Sequence, residues 1–441
     1  MNLNELTTSD LAALRGRVAT KSAAASAFLR YTSGIGVQLF VGLFVAVALP
    51  ALLYQSLIDV LGPMVNVEAS LIGMGWAMAL GYFFVRKLSE YPGVRASSFI
   101  LPIFVGSYGF TMLIFFMMRI DYSRFLVLTS FVLTVAFFYV IFLAARRWGR
   151  PNLSIVPGVE TEALQHLGLV NCSTLSSANA DPGDATPVVV DLRQQLDRVW
   201  EDFVTDCALS GRPIYDSRQL LESLTGRVVV ERLSETRLGS LLPDVVYAGV
   251  KGVLDRILAL AVLVFTAPFL LLIGAAIRIE SKGPALFRQE RIGQGGKRFT
   301  VYKFRSMRLV DEAEEIGALM TQERDARITA MGKILRRTRI DELPQILNIL
   351  RGQMSWIGPR PEAVPLSQWY SEQIPFYRYR HTVRPGLTGW AQVNQGHVTT
   401  LEEAAVKLQY DFFYIKHFSL WLDLLVLCKT VKVVVNGHGA K

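Results

Sequence analysis

Apolar residues fall in long runs in the first third of the chain and mix with polar residues afterwards. Four runs, 34–58, 71–85, 97–118 and 125–145, approach or exceed the length that crosses a bilayer as a helix. The second is short, and tilt or local thinning accommodates it. The loop with Asp59 and Glu68 has no Lys or Arg, whereas the next has Arg86, Lys87 and Arg95. Arg146, Arg147 and Arg150 follow the fourth run, and residues 1–30 are basic with no signal-peptide cleavage pattern. The positive-inside rule then puts both ends of a four-helix transmembrane bundle (31–148) in the cytoplasm, the loop with Arg119 and Arg124 being the exception. These spans contain no chain of ionisable residues, which favours an anchor over a transport path.

From 149 to 245 the pattern changes. Short apolar stretches (188–190, 227–230) alternate with amphipathic ones (194–210, 217–224), the rhythm of a small α/β unit. No G-x-G-x-x-G follows residues 154–158, so this degenerate Rossmann-like domain lacks the dinucleotide motif. A fifth apolar run, 257–277, has Pro268 in its middle and cations on both flanks: Lys251 and Arg256 before, Arg278, Lys282, Arg288 and Arg291 after. A spanning helix would export one cluster and the rest of the chain. A re-entrant helix over about 250–280, broken at Pro268, keeps both clusters inside.

Composition agrees with the pattern. The chain has 441 residues, 51% apolar and 19% charged, with net charge +9. That balance suits anionic lipid or phosphorylated substrates and not nucleic acid. Three cysteines and five histidines show no metal or redox spacing, and the thiols are expected to be free. The N-terminal helices suit a homodimer.

The chemistry concentrates in 246–441. Residues 285–292 and 298–304 read as a hairpin around Gly293-Gln294-Gly295-Gly296, ending in Lys303-Phe304-Arg305, and an acidic stretch (311–315) opens a helix. Further on, Asp341-Glu342 stands among Arg336, Arg337, Arg339, Arg351 and Arg360. Two readings stand. Thr338-x-x-Asp341 matches a capping box, with Pro344 in a first helical turn. Alternatively, guanidinium groups favour an anionic carboxylate that attacks phosphorus. Gly358-Pro359-Arg360-Pro361 and Arg384-Pro385-Gly386 each fix one arginine in a rigid turn.

In order and spacing, these motifs resemble the bacterial sugar transferases, monotopic phosphoglycosyl transferases that start lipid-linked glycans. The matching pieces are Lys251…Asp255-Arg256, Pro268, Arg288-Gln289-Glu290-Arg291, Lys303-Phe304-Arg305, Arg327-x-Thr329, Asp341-Glu342-Leu343-Pro344-Gln345, Gly358-Pro359-Arg360-Pro361-Glu362, Arg384-Pro385-Gly386 and Tyr410-Asp411…Tyr414. The layout resembles the larger members that initiate exopolysaccharide or O-antigen repeats at the cytoplasmic face of the bacterial inner membrane. The resemblance implies a UDP-hexose donor, with glucose or galactose expected, and undecaprenyl phosphate as acceptor. It implies Asp341 as nucleophile, Glu342 as its partner, and Mg²⁺ held by Glu342 and Asp341, with Asp423 a further acidic candidate. Lys303, Arg305, Arg336, Arg360 and Arg384 are then candidates for phosphate or uridine contacts. One departure is Ala267, where the family often has serine before the proline. The rival reading is a non-catalytic membrane scaffold for polysaccharide assembly.

Overall fold

The structure, a computed structural model, describes residues 35–61, 66–89, 99–148, 152–158, 164, 171–178, 186–193, 195–228, 242–307, 328–396 and 398–436. The segment 1–30, Arg95, Arg150, the acidic stretch 311–315, Arg327 and residues 229–230 lie outside them. The chain divides into two compact units, the first running to Leu221 and the second from Glu222 onward.

In the first unit, α1 (Ile35–Leu43) passes through a π turn (Phe44–Ala48) into α2 (Leu49–Leu61). The π turn lies just before Pro50, whose missing N–H opens the helical ladder. Then come α3 (Val67–Ser89), α4 (Ile100–Met117) and α5 (Arg124–Trp148). The pattern gave α3 as 71–85. The helix is longer because Glu68 sits in its first turn and Arg86 and Lys87 in its last, each complementing the dipole. Ala46 of the π turn, Ala77 and Met78 of α3, Phe104 of α4 and Phe138 of α5 share one buried cluster. Tyr108 bonds Ser130 (2.7 Å) and Thr134 (3.0 Å), so polar groups inside the spans satisfy one another.

A four-stranded parallel sheet follows, with order β2-β1-β3-β4: β1 (Asn152–Ile155), β2 (Asn171–Thr174), β3 (Val188–Val190) and β4 (Ile214–Asp216). All three valines of β3 are buried, as an inner parallel strand requires. Helices α6 (Arg198–Leu209) and α7 (Ser217–Thr225) complete the alternation. Residue Val228, expected in a strand of the α/β domain, falls instead in the second unit, where its N–H donates to Gln409 O. The three cysteines are free thiols.

In the second unit the long helix α8 (Val245–Glu280) has 36 residues and is capped by Asp244, which accepts from the Tyr247 N–H. Pro268 lies inside this helix and does not divide it into two elements. Thr266 Oγ1 donates to Val262 O at 2.7 Å, a back-bond that bends helices and lies one residue before Ala267. Among the described residues, five helices are long and apolar enough to cross a membrane: those at the four predicted runs, and α8.

The hairpin forms as expected: β5 (Leu286–Ile292) pairs antiparallel with β6 (Arg298–Phe304). Its turn needs Gly295 and Gly296 at positive φ. Next come α9 (Ala330–Thr338), a 3₁₀ turn (Ile340–Gln345) and α10 (Ile346–Leu350). Strand β7 (Ser355–Ile357) pairs parallel with β8 (Gly386–Thr388). Between them lie α11 (Val364–Gln373) and a 3₁₀ turn (Tyr377–Thr382), and α12 (Trp390–Asn394), α13 (Leu401–Lys416) and α14 (Leu420–Asn436) close the unit.

Helix α8 packs along this unit on both sides of Pro268. Ala259 joins Phe299, Val301 and Ile346, and Ile273 and Ile277 join Phe304 and Leu335. Its opposite face leaves Val264, Phe265, Leu271, Leu272 and Ile279 exposed.

Candidate active site

Strand alternation positions the first cation. Phe299, Val301 and Lys303 share one face of β6, and the first two are buried in the core. Lys303 is therefore carried to the interior, where its Nζ meets Glu342 Oε1 at 3.1 Å. The segment that bears Glu342 is fixed against the same strand by Asn348. That fully buried amide accepts from the Tyr302 N–H (3.3 Å) and donates to Thr300 O (2.7 Å), satisfying the strand edge.

The acid pair does not cap a helix as the Thr338-x-x-Asp341 pattern suggested. Thr338 Oγ1 donates back to Ile334 O and Leu335 O within α9. Arg339 then takes a left-handed conformation (φ 59°, ψ 15°) and turns the chain into the 3₁₀ segment holding both acids.

Arg360 reaches Glu342 from the other side. Its Nη2 lies 2.6 Å from Oε1 and its Nη1 3.3 Å from Oε2. The turn that presents it is tightly held. A Cβ on Gly358 would meet Arg384 O at 2.4 Å, and one on Gly386 would meet Gly358 N at 2.1 Å, so both positions need glycine. The next three carbonyls are each taken: Arg360 O by Arg380 (2.9 Å), Pro361 O by Arg291 (2.8 Å) and Glu362 O by the Ile292 N–H (3.2 Å).

Arg380 was missed in the sequence. It is buried, paired with Asp411 at 2.8 Å, bonded to Tyr377 Oη at 2.6 Å, and near Glu362, which also binds Lys407. Tyr410-Asp411 was the available signal, since a buried acid in an aromatic helix requires a cation elsewhere.

The two acids are electrostatically opposite. Burial alone would raise Glu342, but Arg360 and Lys303 override it and hold the carboxyl far below the usual range. Burial, and then the Glu342 charge, push Asp341 up, with Lys303, Arg339 and Arg336 pulling it back. The surrounding cations thus favour both anions, as expected, but at Asp341 burial and the Glu342 charge outweigh them, and the Glu342 anion is favoured most. Asp341 Oδ1 is buried and without a hydrogen-bond partner.

The other expected cations are distributed. Arg336, in the last turn of α9, faces Asp341. Arg305 donates to Ser281 O (2.7 Å) and Lys282 O (3.0 Å), tying the end of α8 to the hairpin, while its buried Nε has no partner. Arg384 lies against Gly252 and lines a small cavity with Lys251 and Asp255. Asp423 does not join the pair in a metal site: Lys251 (2.6 Å), Tyr247 (2.6 Å) and Tyr414 (2.7 Å) occupy its oxygens. Among the described residues, no group of three His, Cys, Asp or Glu side chains could hold a metal ion. Glu342, with both oxygens bonded, is a poor metal ligand, whereas Asp341 Oδ1 remains available. A magnesium ion that takes one carboxylate, substrate phosphates and waters fits that donor set.

A groove of about 830 Å³ runs beside the pair. Leu263, Leu270 and Leu271 of α8 line it, together with Phe304, Leu343 and Leu347, and it also carries Arg278, Arg288 and Arg305. It reaches Leu343 and Pro344, the residues next to Glu342.

Comparison with known proteins identifies the family. Residues 246–437 match the family described as bacterial sugar transferase. The chain is 39% identical over 356 residues to a UDP-N-acetylgalactosamine-undecaprenyl-phosphate N-acetylgalactosaminephosphotransferase of Aeromonas hydrophila, covering 80% of this chain and 84% of the relative. It is 44% identical over 179 residues to a UDP-glucose:undecaprenyl-phosphate glucose-1-phosphate transferase of Klebsiella pneumoniae, covering 40% of this chain and 38% of the relative. A similarly named Escherichia coli K12 protein is 40% identical over 215 residues, covering 47% and 46%. The match to the first relative extends over most of both chains, and with the catalytic segment it shows that this protein belongs to the bacterial sugar transferase family.

Proposed function

We propose that the protein transfers a hexose 1-phosphate from a UDP-hexose to undecaprenyl phosphate, releasing UMP, through a covalent intermediate on Asp341. The observation that carries this reading is the state of Asp341. It is a buried carboxylate with one unpartnered oxygen and raised basicity, set beside an already neutralised Glu342. In the first step a carboxylate oxygen of Asp341 attacks the sugar-bearing phosphorus. The bond from that phosphorus to the bridging oxygen breaks, and its electron pair leaves with UMP. In the second step a phosphate oxygen of the lipid attacks the same phosphorus, and the Asp341 carboxylate leaves with the electron pair of its bond.

Four cations (Lys303, Arg336, Arg339, Arg360) surround two acids, an excess of two positive charges to meet the diphosphate. Lys303 and Arg360 keep Glu342 ionised and hold the segment in place. Mg²⁺, when bound beside Asp341 Oδ1, would neutralise charge on the diphosphate. The groove suits an isoprenoid chain, and its arginines suit the phosphate head of that chain. Re-entry of α8 is supported by its packing, since segments on both sides of Pro268 rest on one catalytic unit. A crossing helix would place its ends in different compartments. With the basic flanks of the apolar runs, this reading puts the active site at the cytoplasmic face of the bacterial inner membrane, at the first membrane step of exopolysaccharide or O-antigen synthesis.

The sequence layout pointed to glucose or galactose. The Aeromonas hydrophila relative, which matches 80% of this chain and so reaches beyond residues 246–437, is named for N-acetylgalactosamine, and this favours a second reading of the sugar. The test is label exchange. Purified protein receives Mg²⁺, labelled UMP and one unlabelled UDP-sugar at a time, without lipid. Label entering the UDP-sugar is the expected result, and the sugar that responds names the donor. Loss of exchange in Asp341→Asn assigns the nucleophile. Protein that makes lipid-linked sugar without any exchange would replace the covalent route by direct transfer, and neither exchange nor product would leave a scaffold.

A further inference from the structure

Lys251, Tyr414 and Asp423 take no part in the proposed chemistry, yet they meet in one buried network. Asp423, in the first turn of α14, receives Lys251 Nζ and the Tyr247 hydroxyl on Oδ2, each at 2.6 Å. Tyr414 Oη of α13 lies 2.7 Å from its Oδ1. Tyr247 and Lys251 belong to the first two turns of α8, so three helices converge on one carboxylate. Taking an ion pair and a tyrosine hydroxyl out of water costs desolvation, and apolar side chains of the same volume would join the helices about as firmly. What the polar network adds is a fixed distance and direction between them.

The network continues to the acid pair. Tyr414 Oη also lies 3.0 Å from Ile357 O, so its one proton is shared between that carbonyl and Asp423. Ile357 ends β7, and Gly358-Pro359-Arg360 follows directly. The residue before it is tied to α8 as well: Trp356 Nε1 donates to Asp255 O at 3.1 Å. The turn is thus held after Arg360 by Arg380, Arg291 and β5, and before it by α8 and α13. Little slack lies between. Pro359 and Pro361 fix φ on either side of Arg360, and Gly358 has no room for a Cβ. A displacement of Ile357 O therefore reaches the Arg360 guanidinium and its bonds to Glu342 at 2.6 and 3.3 Å.

We propose that Tyr414 and Asp423 are positioning residues that couple the first turns of α8 to the Arg360 turn, so that the seating of this apolar helix sets where the Arg360 guanidinium stands beside the acid pair. This rests on the phosphotransfer reading above. Asp423 joins α8 to α14, and Tyr414 carries that constraint to Ile357 O. Neither residue touches the substrate. The other face of α8 exposes Val253, Ile257 and Leu260, so the helix that meets lipid is also the helix that aligns the cation.

The experiment is a double-mutant cycle on the full-length protein in detergent, read by exchange of labelled UMP into UDP-sugar at a temperature below the Tm of every variant. The variants are Tyr414→Phe, Tyr247→Phe and Arg360→Lys, and each tyrosine change combined with Arg360→Lys. Exchange in the wild type comes first. Its absence with every UDP-sugar overturns the phosphotransfer reading itself, and this inference with it. Given exchange, Tyr414→Phe keeps the ring, loses the tie to Ile357 O, and is expected to lower kcat about tenfold. Tyr247→Phe, at the α8 end of the chain, is expected to lower it about threefold. In the Arg360→Lys background either change is expected to cost less than about twofold, because lysine is a point charge on a flexible stem and does not depend on the direction of a fork. Should Tyr414→Phe fail to fold, the half-buried Tyr247 carries the same comparison. Equal losses in both backgrounds would overturn the proposal, since the effect would then not pass through Arg360. So would a wild-type kcat in Tyr414→Phe. A wild-type kcat in Tyr247→Phe would remove α8 from the chain and overturn the coupling.

Discussion

The two faces of the acid pair differ sharply although the residues are adjacent. On the Glu342 face, Lys303 and Arg360 are bonded to the carboxylate, and the turn carrying Arg360 is itself held by Arg380 and Arg291. On the Asp341 face, one oxygen is buried without a partner, and the nearby cations are Lys303 and two arginines at the end of α9. Neighbouring carboxylates thus receive opposite environments: one is a fixed charge that organises the site, and the other, kept out of stable pairing, is the group to which the proposed mechanism gives the chemistry.

The comparison breaks most visibly at Asp341. Asp341→Asn should lower exchange by at least about 10³-fold, since the nucleophile is gone. It should leave Tm level or higher, because burial already disfavours the charge that the amide removes. A large fall in Tm, or retained exchange, would return Asp341 to a structural role. Glu342→Gln should behave in the opposite way. It leaves two partly buried cations facing a neutral amide, a loss somewhat below the roughly 3–5 kcal/mol of breaking a fully buried pair, read in a denaturant titration, and exchange falls with the distorted wall. Arg380→Lys is expected to be milder. One ammonium cannot keep the bonds to Arg360 O, Asp411 and Tyr377 together, and the shifted turn should lower kcat by about 10–100-fold. Unchanged kcat would show that the turn holds Arg360 without Arg380.

Much of this was legible locally. Hydrophobic runs located the apolar helices, alternation located the hairpin to within a residue, and Asp341-Glu342 stood out by charge contrast alone. The rest depended on partners distant in sequence. Lys251 with Asp423, and Arg380 with Asp411, are pairs that no periodicity announces. Arg305 and Arg384 have the composition of phosphate ligands, yet one is bound to carbonyls at the end of α8 and the other lies against Gly252. Thr338 matched a capping pattern whose hydroxyl the preceding helix had already engaged. Spacing identifies which residues are able to meet, and tertiary packing decides which acceptor each donor takes.

The smallest effect separates the two faces by pH alone. An acid whose folded pKa is raised loses its anion at higher pH than the free side chain does. Exchange, which requires the Asp341 anion, should therefore fall on acidification above the ordinary aspartate value of 3.8. Protonating Asp341 relieves an unfavourable buried charge, so stability should not fall in that window on its account. Glu342 and Glu362 have the opposite sign. Burial would raise Glu362, but Lys407 and Arg380 hold it at about 2, and Glu342 is likewise depressed. Their stabilisation is complete above the unfolded glutamate value of 4.5 and is lost as pH falls below it. Activity and Tm followed together from neutral pH downward should thus decline in sequence, activity first in a folded protein and Tm only below about 4.5. Simultaneous decline would mean that the acid limb reports unfolding and not Asp341, and would remove the distinction between the two carboxylates.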